Sequence, residues 1–327
     1  MTDILALAGQ NLLTPMILCF ALGLFAALSR SELSVPEAMA KAMSIYLLFA
    51  IGFKGGVSVA AHGLDGHLIA TLLTGVALSF GLPFVAFGLL RIMTGLGTLD
   101  AAAVAAHYGS ISIVTFVTAT SVLVAQGMDS EGYMVAVAAA MEAPAIVSAL
   151  WLVARYSKTS GARMDARLWH EILLNGSIVL LVGAFLIGMA TGAPGMARIE
   201  SFIVAPFQGV LCLFLLDMGL VAGRGLRGIR GVLGPGALAF GILMPIVGAM
   251  IGAVAGLLLG LSPGGLALMM TLAASASYIA VPAAMRVALP EANPAVYLTL
   301  SLGVTFPFNL ILGIPTYVAV ARSLTTG

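Results

Sequence analysis

The chain has 327 residues, of which 61% are hydrophobic and 8% are charged, and its formal net charge is +1. A soluble globular protein has about 25% charged residues, so this chain has too few to cover a water-exposed surface. The composition therefore excludes a soluble domain, and the nearly balanced charge, with no basic patch, speaks against binding of nucleic acid.

Apolar runs separated by polar breaks predict an all-α polytopic membrane protein with ten transmembrane segments. A hydrocarbon core of about 30 Å needs about 20 mostly apolar residues per helix, and runs such as 67–90 and 236–261 are long enough. The connections are short, so functional groups must lie within the membrane or on short loops. The predicted segments are 11–29, 36–60, 67–91, 99–126, 132–156, 168–191, 201–222, 231–261, 264–289 and 294–322.

The distribution of positive charge predicts the orientation of these segments. Most of the 14 Lys and Arg residues fall on the loops that follow odd-numbered segments. Cytoplasmic loops are enriched in such residues, so these loops are predicted to face the cytoplasm. Both termini are then predicted to lie outside.

The two halves of the chain, 1–160 and 161–327, carry matching signals in the same order. The fourth segment contains the polar break GSIS after a helix of small residues, and the ninth contains SASY in the same place. The segment after each break carries a proline near its middle, Pro144 or Pro307. Five segments per half is an odd number, so the second half is predicted to be an inverted repeat with the same broken helices. Such matching breaks mark the binding site of many transporters, although two helix-rich halves can also share composition by chance.

A break in a membrane helix creates a new helix start at depth. We expect one start at 109–112 and a second at 275–277. The first N–H groups of a helix lack internal partners, and the helix dipole makes that end positive, so it can hold a small anion without Arg or Lys. Four serines can cap these starts or donate to the anion: Ser110, Ser112, Ser275 and Ser277. The alternative is simple packing, because small residues are common at helix contacts in membranes.

Glu142 lies in the middle of the fifth segment, two residues before Pro144. A carboxylate inside a membrane is costly and indicates a functional site. With hydroxyls and a carbonyl freed by proline, it would form a set of hard oxygens suited to sodium. Thr305 and Asn309 flank the matching Pro307. Two alternatives stay open: a proton-carrying Glu142, or a structural pair with a buried base such as His107, which is otherwise interpreted as a satisfied core histidine.

Five stretches identify a resemblance that covers essentially the whole chain: FAIGFKGGVSVA, HYGSISIVTF, AAAMEAPAIVSAL, AASASYIAVPAAMR and ALPEANPAVYLTLSLGVTFPFN. They resemble the sodium-dependent bicarbonate transporter family, whose best-known members are cyanobacterial high-affinity importers. The resemblance implies an elevator-type transporter that assembles as a homotrimer. It implies a gate domain from segments 1, 2, 6 and 7, about 11–60 and 168–222, and a core domain from segments 3–5 and 8–10, about 67–156 and 231–322.

The resemblance also implies the site. Bicarbonate would be held at the paired helix starts, by Gly109, Ser110, Ile111, Ser112, Ala274, Ser275, Ala276 and Ser277. Sodium would lie nearby, and its predicted ligands are Glu142, Ser110, Ser277, Thr305 and Asn309. Two carboxylate positions differ from the cyanobacterial pattern, and only the second difference changes the charge. Glu142 stands in place of an aspartate, and Tyr278 stands in place of an acidic residue.

The predicted function is sodium-dependent import of bicarbonate across a bacterial inner membrane, with no cofactor besides the coupling ion. The resemblance implies a possible PII-like regulator at the cytoplasmic face. The alternative is a sodium- or proton-coupled transporter of another small anion or carboxylate. An intramembrane enzyme is disfavoured, because the sequence has neither an H-E-x-x-H metal motif nor a G-x-S-x-G nucleophile motif.

Overall fold

A computed structural model of the chain describes residues 14–63, 66–156, 176–228, 233–278 and 280–325, together with Leu174. The regular structure in these ranges is helical. The start of the first predicted segment, the loop at 157–173 and most of 168–175 lie outside the described residues. The helices are α1 (Pro15–Leu28), α2 (Glu37–His62), α3 (Gly66–Met93), α4 (Thr98–Gly109), α5 (Ile113–Ala125), α6 (Met134–Ala140), α7 (Pro144–Tyr156), α8 (Gly176–Ile203), α9 (Phe207–Gly228), α10 (Pro235–Leu258), α11 (Pro263–Ala274), α12 (Ala280–Ala288) and α13 (Pro294–Thr325).

The length and hydropathy of the helices agree with a polytopic membrane protein. In the described part of the chain, eight helices or helix pairs are long and apolar enough to cross a membrane. Two shorter apolar helices, α1 and α11, correspond to the first and ninth predicted segments. The all-α prediction is confirmed, with eight to ten candidate spans.

The sixth and seventh predicted segments were placed too early in the chain. The sixth predicted segment ends at residue 191, where the stretch TGAPG begins, but α8 continues through it to Ile203. Gly192 has φ 57° and ψ −152°, a conformation open to glycine, and it kinks the helix there. Pro194 lies just after the kink, where its missing N–H costs little. The next helix therefore begins at Phe207 instead of 201.

Glycines let the helices from the two halves pack backbone to backbone. In the α1–α9 pair, a Cβ on Gly23 would overlap the carbonyl of Leu216, and one on Gly219 would overlap the carbonyl of Phe20. Such close approach is the usual device of membrane helices, because no hydrophobic effect drives helices together in lipid. The first and seventh spans therefore form a tight pair.

The second and sixth spans form a similar pair. A Cβ on Gly56 would overlap the carbonyl of Phe185 in α8, and one on Gly188 would overlap the carbonyl of Phe53 in α2. The α2–α8 and α1–α9 pairs have the most extensive helix contacts of the described structure. Each of these two pairs thus joins a helix from the first half to a helix from the second half at their backbones.

Cys19 on α1 and Cys212 on α9 have neighbouring side chains. Both cysteines fall in apolar runs, where the sequence predicts inert packing residues, and both are free thiols in the structure. We expect oxidation with copper phenanthroline to join them into a disulfide. If a protease site inserted at 157–173 is then cut, the two halves should run together on a non-reducing gel. The Cys212→Ser variant is the control, and halves that separate in the wild type would contradict the α1–α9 pairing.

The centre of the molecule is formed by the fourth and ninth spans. In the most apolar window of Thr98–Ala125, 83% of the residues are buried, against 17% for Val179–Ile203. Helices α3 and α7 pack against α4, and α10 and the end of α13 pack against α11. The two predicted breaks therefore lie within the protein, where non-helical backbone at membrane depth is tolerated.

Candidate functional site

The first break runs from Ser110 to Ser112. Helix α4 ends at Gly109, where a Cβ would overlap the ring of Pro83, and Ser110 then turns to an extended conformation with φ −86° and ψ 163°. Ser112 caps the next helix, because its hydroxyl accepts a hydrogen bond from the N–H of Thr115 at 3.2 Å. The break thus lies where the sequence predicts it, with α5 beginning one residue after Ser112.

The second break begins with almost the same geometry. Helix α11 ends at Ala274, and Ser275 has φ −84° and ψ 162°. The hydroxyl of Ser277 accepts a hydrogen bond from the N–H of Val281 at 3.4 Å, near the start of α12. Both breaks therefore end a helix at a serine and use a second serine, two residues on, near the start of the next helix.

The two breaks are in direct contact. The N–H of Ser112 donates to the hydroxyl of Ser275 at 2.9 Å, and that hydroxyl donates to the carbonyl of Leu272 at 3.0 Å. In the other direction, the N–H of Ser277 donates to the carbonyl of His107 at 2.7 Å. Each break thus donates one backbone N–H towards a carbonyl of the other. The N–H of Ser277 reaches its carbonyl directly, whereas the N–H of Ser112 reaches its carbonyl through the Ser275 hydroxyl. Residues far apart in the chain thus build one structure.

All eight residues predicted to bind the substrate are buried. The four serine side chains are between 1% and 4% exposed. The others are Gly109, Ile111, Ala274 and Ala276. The structure therefore brings the whole predicted set to one buried place at the two breaks.

Unpartnered polar atoms concentrate at this place. Burying a polar group without a hydrogen bond costs about 1–3 kcal/mol, so such atoms in a protein need an explanation. Among the described residues, five buried side-chain atoms have no partner: His107 Nε2, Ser110 Oγ, Gln126 Oε1, Glu142 Oε2 and Tyr278 Oη. His107, Ser110 and Tyr278 are at or within one turn of the breaks, and Glu142 is the predicted sodium ligand. This is the pattern expected of a site that holds a polar ligand.

The predicted roles of the four serines differ in the structure. The hydroxyls of Ser112 and Ser277 accept from backbone N–H groups, and that of Ser275 both accepts and donates. The hydroxyl of Ser110 has no partner. Ser110 is therefore the serine whose side chain is available to a ligand.

Glu142 lies in a third break, between α6 and α7, and is 5% exposed. The hydroxyl of Ser79 on α3 donates to the carbonyl of Met141 at 2.5 Å, which fixes this break against α3. The same helix carries Pro83, which contacts Gly109 at the first break. Helix α3 therefore holds the Glu142 segment and the first break in a fixed relation.

Thr305 and Asn309 already have protein partners. Thr305 Oγ1 donates to the carbonyl of Gly241 at 2.6 Å and accepts from the hydroxyl of Tyr108 at 2.6 Å. Asn309 Nδ2 donates to the carbonyl of Ala274 at 2.9 Å. Asn309 Oδ1 accepts from the hydroxyl of Tyr317 at 2.9 Å. Each oxygen keeps one acceptor position, but these bonds already tie α13 to both breaks.

The segment around Pro307 also differs from its counterpart in the first half. Helix α13 passes Pro307 without interruption, through π-helical turns at Thr299–Thr305 and Asn309–Gly313. The matching fifth span is broken at Met141–Ala143. Both solutions accommodate the missing N–H of a proline, and π-helical turns often occur at functional sites.

Sequence reasoning gave two site residues too little weight. Tyr278 was noted as a departure from the family pattern, and its hydroxyl lies beside the Ser112 side chain without forming a hydrogen bond. His107 was interpreted as a satisfied core histidine, yet its Nε2 has no partner. A signal was present for His107, because it stands one helical turn before the first break.

A separate cavity of about 400 Å³ lies away from the breaks. It is bordered by the end of α2, the start of α3 and the segment before α6, and it includes His67 and Glu131. The carboxylate of Glu131 accepts from the N–H and hydroxyl of Ser262, at 2.7 and 3.0 Å, and so caps α11. His67 bonds to Tyr133 and to the carbonyl of Leu259. These side chains have structural partners, unlike Ser110 Oγ, His107 Nε2 and Tyr278 Oη at the breaks.

Buried, touching breaks in a helical membrane protein are characteristic of secondary transporters, whose discontinuous helices bind ions and substrate at depth. That is the class of protein that the fold and the site define. The chain belongs to the Na+-dependent bicarbonate transporter superfamily, whose family model matches residues 15–322. A comparison with curated proteins finds no match. The predicted family is thus confirmed, and membership in a transporter family agrees with the prediction that the protein is not an enzyme.

Proposed function

We propose that the protein is a sodium-dependent secondary transporter that imports bicarbonate, and that the anion binds where the two breaks meet. The observation that carries the proposal is the contact between two buried helix breaks that are bordered by unpartnered polar groups. Family membership supports the choice of ion and substrate.

Helix starts supply the positive end of the anion site. Helix α5 has 13 residues and α12 has 9, so each is long enough to carry a dipole at its N-terminus. Of their first N–H groups, those of Thr115 and Val281 already bond to serine hydroxyls. The others, together with the hydroxyls of Ser110 and Tyr278, would donate to a small oxyanion. Donors of this kind bind an anion without a cationic side chain.

Glu142 supplies the negative charge for the cation. Its Oε2 is buried without a partner, so sodium beside it would neutralise a charge that is otherwise costly in this place. The proposed sodium ligands also include Ser110, Ser277, Thr305 and Asn309. Of these four, Ser110 is the one whose side chain has no hydrogen-bond partner. A sodium ion bound here would also attract the anion, and the coupling between the two ligands is necessarily reciprocal.

The helix packing supports an elevator movement. The gate domain of the proposal comprises α1, α2, α8 and α9, which are joined pairwise through glycines. The core domain of the proposal, 67–156 and 231–322, contains all three breaks. In the proposal, each domain draws on both halves of the chain, 1–160 and 161–327, and the second half is an inverted repeat of the first. The proposal includes a homotrimer in the bacterial inner membrane, with termini outside and a PII-like regulator at the cytoplasmic face.

The decisive experiment is uptake of radiolabelled bicarbonate into proteoliposomes, with and without an inward sodium gradient. Saturable uptake that needs the gradient is the expected result. Absence of such uptake by folded protein, shown by a cooperative thermal transition, would overturn the proposal. Uptake that never saturates would indicate a channel instead.

A proton-coupled transporter of another small anion or carboxylate is the second candidate. The observation that favours it is the neutral Tyr278 where the family pattern, by resemblance, has an acidic residue. Without an acidic residue at position 278, Glu142 would be the carboxylate of the proposed site, and it would carry the coupled proton. Uptake that responds to a proton gradient and ignores sodium would select this candidate.

Ser110 gives a direct test of the anion site. We expect Ser110→Ala to raise the bicarbonate concentration for half-maximal uptake about fivefold, because it removes one hydrogen bond of about 1 kcal/mol. Since the Ser110 hydroxyl has no protein partner, thermal stability should hardly change.

Ser112→Ala is the matched control for Ser110→Ala. It removes a helix cap, so the free energy of unfolding should fall by about 1 kcal/mol. Uptake kinetics and thermal unfolding of both variants separate the two roles. Unchanged uptake by Ser110→Ala would remove this side chain from the site.

A further inference from the structure

We infer that His107 accepts a hydrogen bond from the protonated oxygen of the bound anion and thereby selects singly protonated small oxyanions over fully deprotonated ones. The inference rests on the proposed anion site, and it adds a basis for choosing among anions of the same size and charge. Bicarbonate belongs to the selected class. Nitrate, which is planar and singly charged like bicarbonate but has no proton, belongs to the rejected one.

The hydrogen bond to Ala103 determines which ring nitrogen carries the proton. His107 Nδ1 lies 2.6 Å from the carbonyl oxygen of Ala103. A carbonyl oxygen only accepts, so Nδ1 is the donor, and in the neutral ring Nε2 is then a bare acceptor. A charged ring would be a fully buried cation, and no carboxylate of the described residues forms an ion pair with it, so the neutral form is the one that fits.

The ring cannot turn to satisfy Nε2 elsewhere. It stacks on Tyr297 with ring centroids 4.4 Å apart and an angle of 24° between the planes. With the bond to Ala103, this contact holds the ring at two points. The side chain is 0% exposed, so bulk water does not reach Nε2 either. A rigid, buried acceptor without a donor is costly unless a ligand supplies the donor.

The backbone of His107 lies where the two breaks meet. Its own carbonyl accepts from the N–H of Ser277 in the second break at 2.7 Å. His107 precedes Ser110 by three residues, and Ser110 is the residue at which the chain leaves α4 in an extended conformation. Two unpartnered groups, His107 Nε2 and Ser110 Oγ, thus belong to residues at the end of α4, next to the proposed anion site.

The breaks also hold groups of a second kind, which can donate. Backbone N–H groups, and the hydroxyls of Ser110 and Tyr278 in their donor role, bond to oxygens that carry negative charge. His107 Nε2 cannot donate in its neutral form. Bicarbonate matches both kinds, because two of its oxygens share the charge and the third carries a proton. Nitrate would place a lone pair against Nε2, and sites built to bond a hydroxyl reject analogues that lack it.

The test measures how strongly nitrate inhibits sodium-driven uptake of labelled bicarbonate near neutral pH. Two variants are compared with the wild type. His107→Asn keeps an amide N–H near the position of Nδ1 but has no acceptor at the position of Nε2. His107→Gln reaches that position with an amide oxygen. Losing one such hydrogen bond costs about 1–3 kcal/mol, so the preference for bicarbonate over nitrate should fall about tenfold in His107→Asn. In His107→Gln most of the preference should be retained.

A preference that is unchanged in a transporting His107→Asn protein would overturn the inference. A second measurement needs no variant: the thermal stability of the wild-type protein in sodium bicarbonate, sodium nitrate and sodium chloride. We expect stabilisation by bicarbonate well above the other two salts. Equal stabilisation by nitrate and bicarbonate would also overturn the inference. Absence of sodium-dependent bicarbonate uptake would instead contradict the proposed function, and the salt comparison, repeated on His107→Asn, would still test the role of His107.

Discussion

Glu142→Gln should abolish most of the response of uptake to sodium. Glutamine keeps the shape of the side chain but removes the charge, and interactions with a charged group are worth about 1.5–3 kcal/mol. We therefore expect the sodium concentration for half-maximal uptake to rise about 10- to 100-fold. Sodium titration of bicarbonate uptake in proteoliposomes measures this directly.

The stability of the Glu142→Gln protein separates a ligand role from a structural one. Glu142 Oε2 is buried with no protein partner, so its neutral replacement should leave thermal stability in sodium-free buffer equal or higher. The stabilisation that sodium gives to the wild type should disappear. Glu142→Asp keeps the carboxylate and is the matched control, with part of the sodium response retained. A destabilised Glu142→Gln protein that still responds to sodium would assign the residue to structure.

Gly109→Ala should destabilise the protein and impair transport together. A Cβ at this position would overlap the Pro83 ring and lie 2.8 Å from the carbonyl oxygen of Ser79. The Pro83 ring is rigid and the Ser79 carbonyl is backbone, so neither can move aside. The end of α4 must therefore move, and the first break moves with it. Overpacking of this kind costs about 1–3 kcal/mol. Thermal unfolding and uptake per folded protein measure the two effects.

Gly81→Ala is the control for the Gly109 variant. It lies on the same helix as Pro83, and a Cβ there would meet no atom within 4 Å. Alanine is favoured over glycine in a helix by about 1 kcal/mol, so this variant should be as stable as the wild type or more so. If Gly109→Ala and Gly81→Ala had the same thermal stability and the same uptake per folded protein, the packing of Gly109 on Pro83 would not position the break.

The breaks could be predicted because their signals are local. A run of apolar residues forms a helix in a membrane, and GSIS and SASY interrupt such runs with serines that cap helices well. Glu142 was recognisable for a similar reason, since a carboxylate within an apolar run stands out without knowledge of its neighbours. The kink at Gly192 was missed because glycine and proline in TGAPG are also the usual signals of a loop.

The amino-acid sequence by itself determined the membrane class, the family and the positions of the breaks at Ser110–Ser112 and Ser275–Ser277. Only the tertiary structure decided which hydroxyl is free and which polar atoms have no partner. The reason is that helix formation depends on neighbouring residues, whereas a hydrogen-bond partner can come from any part of the chain. The N–H of Ser112 bonds to a hydroxyl 163 residues away. No local pattern contains that contact, and so none could show that Ser275 is engaged while Ser110 and His107 are left for a ligand.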